Sequence, residues 1–300
     1  ALRQKHLFDS ADGLRRELRH QRYVVEDDRY GSRARPMSEL ERRTEQWRTI
    51  SSSKEVSSLV DSQDIVDFSV VVVACNYRND VQRCVESALR WSSGHSIEII
   101  AVDNGSTDGT SEWLEEIVNQ DSRIRVLHTD HVTGDAAAKN IGLRQSRGGV
   151  VVMLDISTEV TGDLYTPLTQ ELEDPSVGVV GPFGLQTQDL QEFEEVSVGG
   201  NVDAMQAYCF AFKRAHLRYV GWMPETYRFY RNLDIQYSFQ FKDLGFTIRA
   251  DPNLPLRRHT HRVWSEMSEE ERDKLSRDNY RRFLHRWHHR TDLLVNASQD

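Results

Sequence analysis

The chain has 300 residues, 38% hydrophobic and 28% charged, with a formal net charge of −9. That is the length of one large domain or two small ones and the composition of a soluble globular protein, and no apolar run approaches the ~20 residues that span a bilayer. The acidic balance argues against nucleic acid as a partner, because such proteins more often carry a basic domain.

Charge is uneven along the sequence. Residues 1–60 hold 13 Lys and Arg against 10 Asp and Glu, and residues 257–290 hold 10 against 6, with five of the 11 histidines. The acidic middle suits a site that holds a cation. Cys75, Cys84 and Cys209 make an odd count without metal-type spacing, and the start of the sequence lacks the apolar core of a signal peptide. Both favour a reducing, cytoplasmic setting.

Residues 1–64 read as a helical N-terminal extension and linker. No strand pattern is visible; polar helices are predicted over 14–22 and 38–47, the second opened by a Ser38–Glu41 capping box. Serines at 51–53 and 57–58 form the linker. From Phe68 the pattern changes. SVVVVA at 69–74 is a continuous β-branched run, as in a strand buried on both faces. Asn79 or Asp80 can cap a helix over 81–91. Strands follow at 97–103, 123–129 and 149–155, with helices at 110–118 and 134–145 between them. This alternation predicts an α/β fold with a mostly parallel central sheet flanked by helices. Ligands of such sheets sit beyond the carboxyl ends of the strands, which here carry Cys75-Asn76, Asp103-Asn104 and Asp155. The second half is mixed: strands at 177–182 and 246–251, a strand running into a short helix over 207–217, and a helix over 233–244. Ser268 and Glu271 open a long basic helix in the C-terminal extension, residues 263–300.

Five stretches, FSVVVVACNYRND, IEIIAVDNGSTDGT, TGDAAAKNIGL, VVVMLDIST and YRNLDIQYSFQFKDLGF, resemble in kind and order the family 2 glycosyltransferases. The resemblance spans about residues 67–262, so 65–262 is expected to be a GT-A-like domain. It implies transfer of a sugar, with inversion, from a UDP-, GDP- or dTDP-sugar to a hydroxyl of a saccharide, lipid-linked or protein acceptor. It also implies a divalent cation, Mn or Mg, that neutralises the diphosphate.

The resemblance assigns roles residue by residue. Cys75 and Asn76 end the first strand at the nucleotide-sugar site. Asp103, before the turn pair Asn104-Gly105, is expected to accept the imide N–H of a uracil or thymine ring; otherwise it is a turn aspartate. Lys139 stands where the family often has arginine and, with the helix N-terminus before it, favours a diphosphate. The family's metal-binding Asp-x-Asp is reduced to Asp155 and Ser157. Glu159, on the same face if the chain stays extended, is the substitute carboxylate, and His259 or His261 completes the metal shell. The acidic base motif is reduced to Asp234, with Arg231 and Asn232 where carboxylates are usual, so Asp234 or another group such as Glu225 is the general base. Arg231 is also a candidate phosphate contact.

Two rival readings follow from the same residues. Loss of a carboxylate from each of two acidic motifs is what a catalytically impaired nucleotide-binding or regulatory protein would retain. Nucleotidyltransferase and dinucleotide-dependent oxidoreductase chemistry both call for a glycine-rich loop after the first strand, and ACNYRND has no glycine. In the last helix Tyr280, Phe283, Leu284 and Trp287 share one side; they pack on the domain or, alternatively, meet an anionic membrane surface.

Overall fold

The computed structural model describes residues 8–28 and 31–296. Its contacts divide the chain into two compact units, one ending at Thr49 and one beginning at Ile50. The first contains helix α1 (Phe8–His20), strands β1 (Tyr23–Asp28) and β2 (Gly31–Pro36), and helix α2 (Glu39–Gln46). The Ser38–Glu41 capping box forms, with the Ser38 N–H donating to the Glu41 carboxylate at 2.9 Å. The antiparallel hairpin β1–β2 is the departure from the sequence expectation. It is supported by charge more than by an apolar face: the Arg35 guanidinium reaches Glu26 and Glu41 at 2.7 Å each, and opposite charges stabilise paired strands.

The division also moves the expected boundary from residue 64 to 49. Residues 50–64 belong to the larger unit because their polar groups are satisfied there. The Leu59 N–H donates to the Arg144 carbonyl at 2.7 Å, and the buried Arg214 guanidinium binds Asp64 and the Ser62 carbonyl.

At the junction lies β3 (Thr49–Ile50). The larger unit continues through β4 (Val66–Ala74), α3 (Arg78–Arg90), β5 (Ile97–Asp103), α4 (Thr110–Val118), β6 (Ile124–Thr129), α5 (Asp135–Arg144), β7 (Gly148–Leu154), β8 (Thr158–Val160), α6 (Tyr165–Glu173) and β9 (Val177–Gly181). Short strands β10 (Gly184–Gln186), β11 (Glu194–Val196), β12 (Gly200–Val202) and β13 (Ala204–Met205) precede β14 (Cys209–Lys213), α7 (Leu217–Val220), α8 (Leu233–Lys242), β15 (Thr247–Ala250), β16 (Leu256–Arg258), α9 (Arg262–Glu266) and α10 (Glu269–Trp287).

The main sheet has the order β12-β15-β9-β14-β7-β4-β5-β6-β3. β7, β4, β5 and β6 run parallel, as do β9 and β15. β14 joins the two blocks antiparallel to both neighbours. The observed fold is thus the expected mostly parallel α/β sheet. Alternate residues of β4 feed opposite sides, Val70 and Val72 with α3 and α6, Val71 with α5 and α8, and each such buried side chain contributes roughly 1.5–3 kcal/mol. The small residues of α5 serve packing: a Cβ on Gly142 would lie 2.4 Å from Val71 Cγ1.

Register places the functional edge. Ala74 pairs with Asp103, and Val72 with Leu154, so β4, β5 and β7 end together. Antiparallel β14 begins at the same edge, Cys209 opposite Leu154, and brings in residues 206–208 from the other direction. The C-terminal extension is part of this unit. Phe283 and Trp287 of α10 are buried against Phe239 of α8, so the apolar side of that helix is spent on the core and is not offered to a membrane surface.

Candidate active site

Two cavities open at the carboxyl edge of the sheet, of about 170 and 350 Å³. Asp155, Tyr230 and His261 line both and form the wall between them. Cys75, Tyr77, Asp80, Asn104, Gly134 and Arg228 line the smaller one. The larger is lined by Tyr208, Arg231, Asp234, Trp264 and Tyr280, among others.

Asp155 follows β7 directly. The chain does not stay extended there: the Thr158 N–H donates to the Asp155 carbonyl at 3.0 Å, closing a turn, so the expected shared face of Asp155, Ser157 and Glu159 does not form. Ser157 is buried and turns inward. Its N–H donates to Asp155 Oδ1 at 2.8 Å and its hydroxyl donates to the same oxygen. That leaves Oδ2 on the side of His261, whose Nε2 lies 3.6 Å away. Burial raises the proton affinity of Asp155, but His261 and Ser157 outweigh it and the carboxyl titrates below its ordinary range. His261 is itself fixed on two sides: its Nδ1 accepts the Trp264 N–H at 3.3 Å, and its ring stacks on Tyr230 with centroids 4.4 Å apart.

Glu159 and His259 are placed differently from Asp155. They face each other across the β8–β16 pair, His259 Nε2 to Glu159 Oε2 at 2.8 Å, and neither lines either of these two cavities. Among the described residues no group of three or more His, Cys, Asp or Glu side chains gathers as a metal cage. The donor set that fits a dication is therefore Asp155 and His261, a carboxylate oxygen and an imidazole nitrogen, with the rest of the shell left to ligand and water.

Asp103 is fully enclosed. It accepts from the Ser106 N–H at 3.1 Å, from the Ser111 hydroxyl at 2.6 Å and from His128 Nδ1 at 2.7 Å, and it holds its own turn together. The next residue, Asn104, reaches the smaller cavity instead; its Oδ1 accepts from both the N–H and the hydroxyl of Thr133 at 2.9 Å. Cys75 lines that cavity too, while Asn76 braces the loop by accepting the Thr107 N–H at 2.7 Å. Asn76 and Tyr77 both have left-handed backbones, at φ 67° and 63°, and lead the chain into α3 without a side-chain cap. The expected cap residue Asp80 pairs with Arg83 and Arg262.

The α5 N-terminus is also already used. The N–H groups of Asp135 and Ala136 donate to the carbonyls of Arg228 and Tyr227, and Lys139 is ion-paired with Asp135. Two cations do line the smaller cavity, Arg228 and Arg262, and Arg262 is held by Asp80. Arg228 packs against Gly134, where φ is +99° and a Cβ would lie 3.1 Å from the Arg228 Cα, so the position favours glycine.

Asp234 lines the larger cavity in the first turn of α8. Its oxygens accept the N–H groups of Ile235 at 2.9 Å and Ala207 at 3.1 Å. Burial nevertheless dominates and raises its pKa. Asn232 precedes α8 in the left-handed conformation that asparagine tolerates and donates to the Ser276 carbonyl at 3.2 Å. Glu225 lines neither cavity; it binds Ser53 and Asn140. Arg262 and Glu266 of α9 tie residues 259–266 across the smaller cavity, to Asp80 at 2.6 Å and the Tyr77 hydroxyl at 2.8 Å.

The sequence profile described as Glycosyl transferase family 2 matches residues 69–248, more than half of the chain. The chain belongs to this family. It is 28% identical over 198 residues to the uncharacterized glycosyltransferase EpsJ of Bacillus subtilis, covering 65% of this chain and 57% of that one. It is 36% identical over 112 residues to the glycosyltransferase GlyG of Streptococcus pneumoniae, covering 37% of each. The alignments thus cover only about a third to three fifths of these relatives. The fold is also that of solved glycosyltransferases. GalNAc-T7, crystallised with UDP, GalNAc and Mn²⁺, superposes with a TM-score of 0.61 at 16% identity, covering 74% of this chain and 49% of that one. The mannosyltransferase PcManGT of Pyrobaculum calidifontis, in complex with GDP-Man and Mn²⁺, superposes at 0.52 and 18%, covering 71% and 61%.

The pocket residues that sequence reasoning passed over are Tyr208, Arg228, Tyr230 and Trp264, and Asn104 was named only as one of a strand-end pair. The run ETYRFYRNLD carried a usable signal, since aromatic and basic residues crowd the approach to Asp234. No helix among the described residues is long and apolar enough to cross a membrane.

Proposed function

We propose that this chain transfers a glycosyl group from a nucleoside-diphosphate sugar to an acceptor hydroxyl, with the nucleotide in the smaller cavity and the acceptor in the larger. The observation that carries the reading is the wall shared by the two cavities: Asp155, His261 and Tyr230 touch both, and the other carboxylate lining the larger one is Asp234.

In this reading Asn104 meets the base. Its oxygen is taken by Thr133, so its amide N–H groups would donate to a base carbonyl, which uracil, thymine and guanine all present. Arg228 faces the diphosphate. A divalent cation, manganese or magnesium, held by Asp155 and His261 would neutralise the leaving group. Asp234 takes the proton of the acceptor hydroxyl; its raised proton affinity suits that task, because a base works best with a pKa nearer the operating pH. The acceptor oxygen bonds to the anomeric carbon as the carbon–oxygen bond to the diphosphate breaks. Attack from the Asp234 side, opposite the nucleotide cavity, is a single displacement and inverts the centre. The acceptor is a saccharide, lipid-linked or protein hydroxyl, and the setting is cytoplasmic.

Calorimetric titration of UDP, GDP and dTDP with and without Mn²⁺, followed by turnover of the matching sugars, tests this. At least one nucleotide should bind, Asp155→Ala should weaken it, and Asp234→Asn should lower kcat by about 10²–10⁴-fold at unchanged nucleotide affinity. Absence of nucleotide binding, or indifference to Asp155→Ala, overturns the assignment. Binding with no turnover across donors and acceptors points instead to a catalytically impaired binding protein, a reading that Ser157 and Asn232 in place of carboxylates favour.

A further inference from the structure

The larger cavity carries a charge that the transfer reaction itself does not use. Arg231 is exposed in that cavity and absent from the lining of the smaller one. No carboxylate among the described residues pairs with it, although its charge is felt by Asp234, Tyr208 and Tyr230. Its guanidinium carbon lies 5.0 Å from the centroid of Trp264, and Arg272 approaches the same ring at 5.0 Å, its Nε buried without a hydrogen-bond partner. The Arg231 backbone is held as well: the buried Asn279 amide donates to the carbonyls of Arg231 at 2.8 Å and Phe229 at 2.7 Å. Two cations thus meet at one aromatic ring on a chain whose net charge is −9, and among the described residues no carboxylate forms an ion pair with either. Phe193, Tyr208, Tyr230, Trp264 and Tyr280 supply apolar ring surface in the same cavity.

We propose that the acceptor is an anionic saccharide, whose carboxylate or phosphate group is bound by Arg231 while its sugar rings lie against the aromatic side chains. A planar guanidinium binds either anion through two parallel hydrogen bonds, and its place on Trp264 leaves its edge free to donate. Asp155 and Asp234 repel an anion from the reacting end of the cavity, so the charged group is directed to the Arg231 end and the neutral hydroxyl to Asp234. A neutral acceptor would leave Arg231 without a counter-charge.

This inference rests on the larger cavity being the acceptor side, and the test separates the two. Nucleoside diphosphate binding and its loss in Asp155→Ala report on the donor reading alone. With that nucleotide saturating, binding is measured for an oligogalacturonate and its carboxyl-reduced counterpart, and for an oligosaccharide phosphomonoester and its dephosphorylated form. At least one anionic member should bind about ten-fold or more tightly than its neutral match, and the preference should weaken with added salt. Arg231→Gln should abolish the preference, and comparison of the two pairs distinguishes carboxylate from phosphate. Equal binding within both pairs, no binding by either anionic member, or a preference that survives Arg231→Gln overturns the proposal.

Discussion

Asp103 and Asp155 end neighbouring regions of one sheet in nearly the same way, yet they do opposite things. Each closes a buried parallel strand and each accepts hydrogen bonds from a serine a few residues on. Around Asp103 the chain returns three donors and seals the carboxylate from solvent. Around Asp155 only Ser157 returns, both its donors go to one oxygen, and the other oxygen faces His261 and two cavities. A strand-end aspartate becomes a structural or a ligand-facing group according to how many donors its own turn brings back.

Mutation can break this comparison or sharpen it. The largest effect should be that of Asp103→Ala, which leaves the Ser106 N–H, the Ser111 hydroxyl and a ring nitrogen of His128 without the oxygens they face. At about 1–3 kcal/mol for a stranded buried polar group, a loss of about 3 kcal/mol or more is expected in chemical denaturation. Wild-type stability in that variant would remove the distinction. Asp155→Ala should melt close to wild type and lower turnover by about 10²–10³-fold, the scale of losing one preorganised electrostatic contact; a collapse in Tm would make it structural after all. Ser157→Ala tests the hand-off between the two roles. It removes the hydroxyl donor to Asp155 Oδ1 while the backbone N–H stays, and should weaken nucleotide binding in the presence of Mn²⁺ by several-fold, about 1 kcal/mol, read as a Kd.

The smallest effect concerns Asp234. Its folded-state pKa is raised by burial, so between the unfolded and folded values the native protein holds more protons than the unfolded chain. Wild-type stability therefore falls as pH rises through that window. Asp234→Asn should be the more stable protein at neutral pH, and the gain should vanish as pH drops below the ordinary aspartate range, measured by thermal melts across pH.

The sheet was legible because its signal is local. Six-residue β-branched runs such as 69–74 cannot be surface, and the helices between them leave a parallel order as the natural solution. The hairpin at 23–36 was not, since Arg35 ties its strand to Glu26 of the other and to Glu41 of α2, in place of alternating apolar residues. At the site, Asp155, His261 and Asp234 were visible by position, but partners were not. That Glu159 is claimed by His259 and Glu225 by Asn140 depends on side chains up to 100 residues apart, whereas the Lys139–Asp135 pair is a local i,i+4 contact on α5. Asn104 was hidden by Asp103 beside it. Which of two adjacent residues faces a cavity is decided by the loop's return path, and the Ser106, Ser111 and His128 donors that fix it come from three different segments.

The family match stops at residue 248, yet the lining of the larger cavity extends beyond it, to Trp264 and Tyr280. Helix α8 is buried along nearly its whole length, and part of that cover is α10: Phe239 meets Phe283 at 5.0 Å and Trp287 at 5.7 Å, and the Trp287 indole N–H donates to Gln236 at 2.9 Å. For anyone preparing a shorter version of this protein, the safe cut lies beyond Val295, because Leu294 is buried in the same cluster and the Val295 N–H donates to Asp203 at 2.7 Å. A fragment ended at the last family-matched strand would strip the outer side of the helix that carries Asp234, release the 229–231 loop from Asn279, and take His261 away from both cavities.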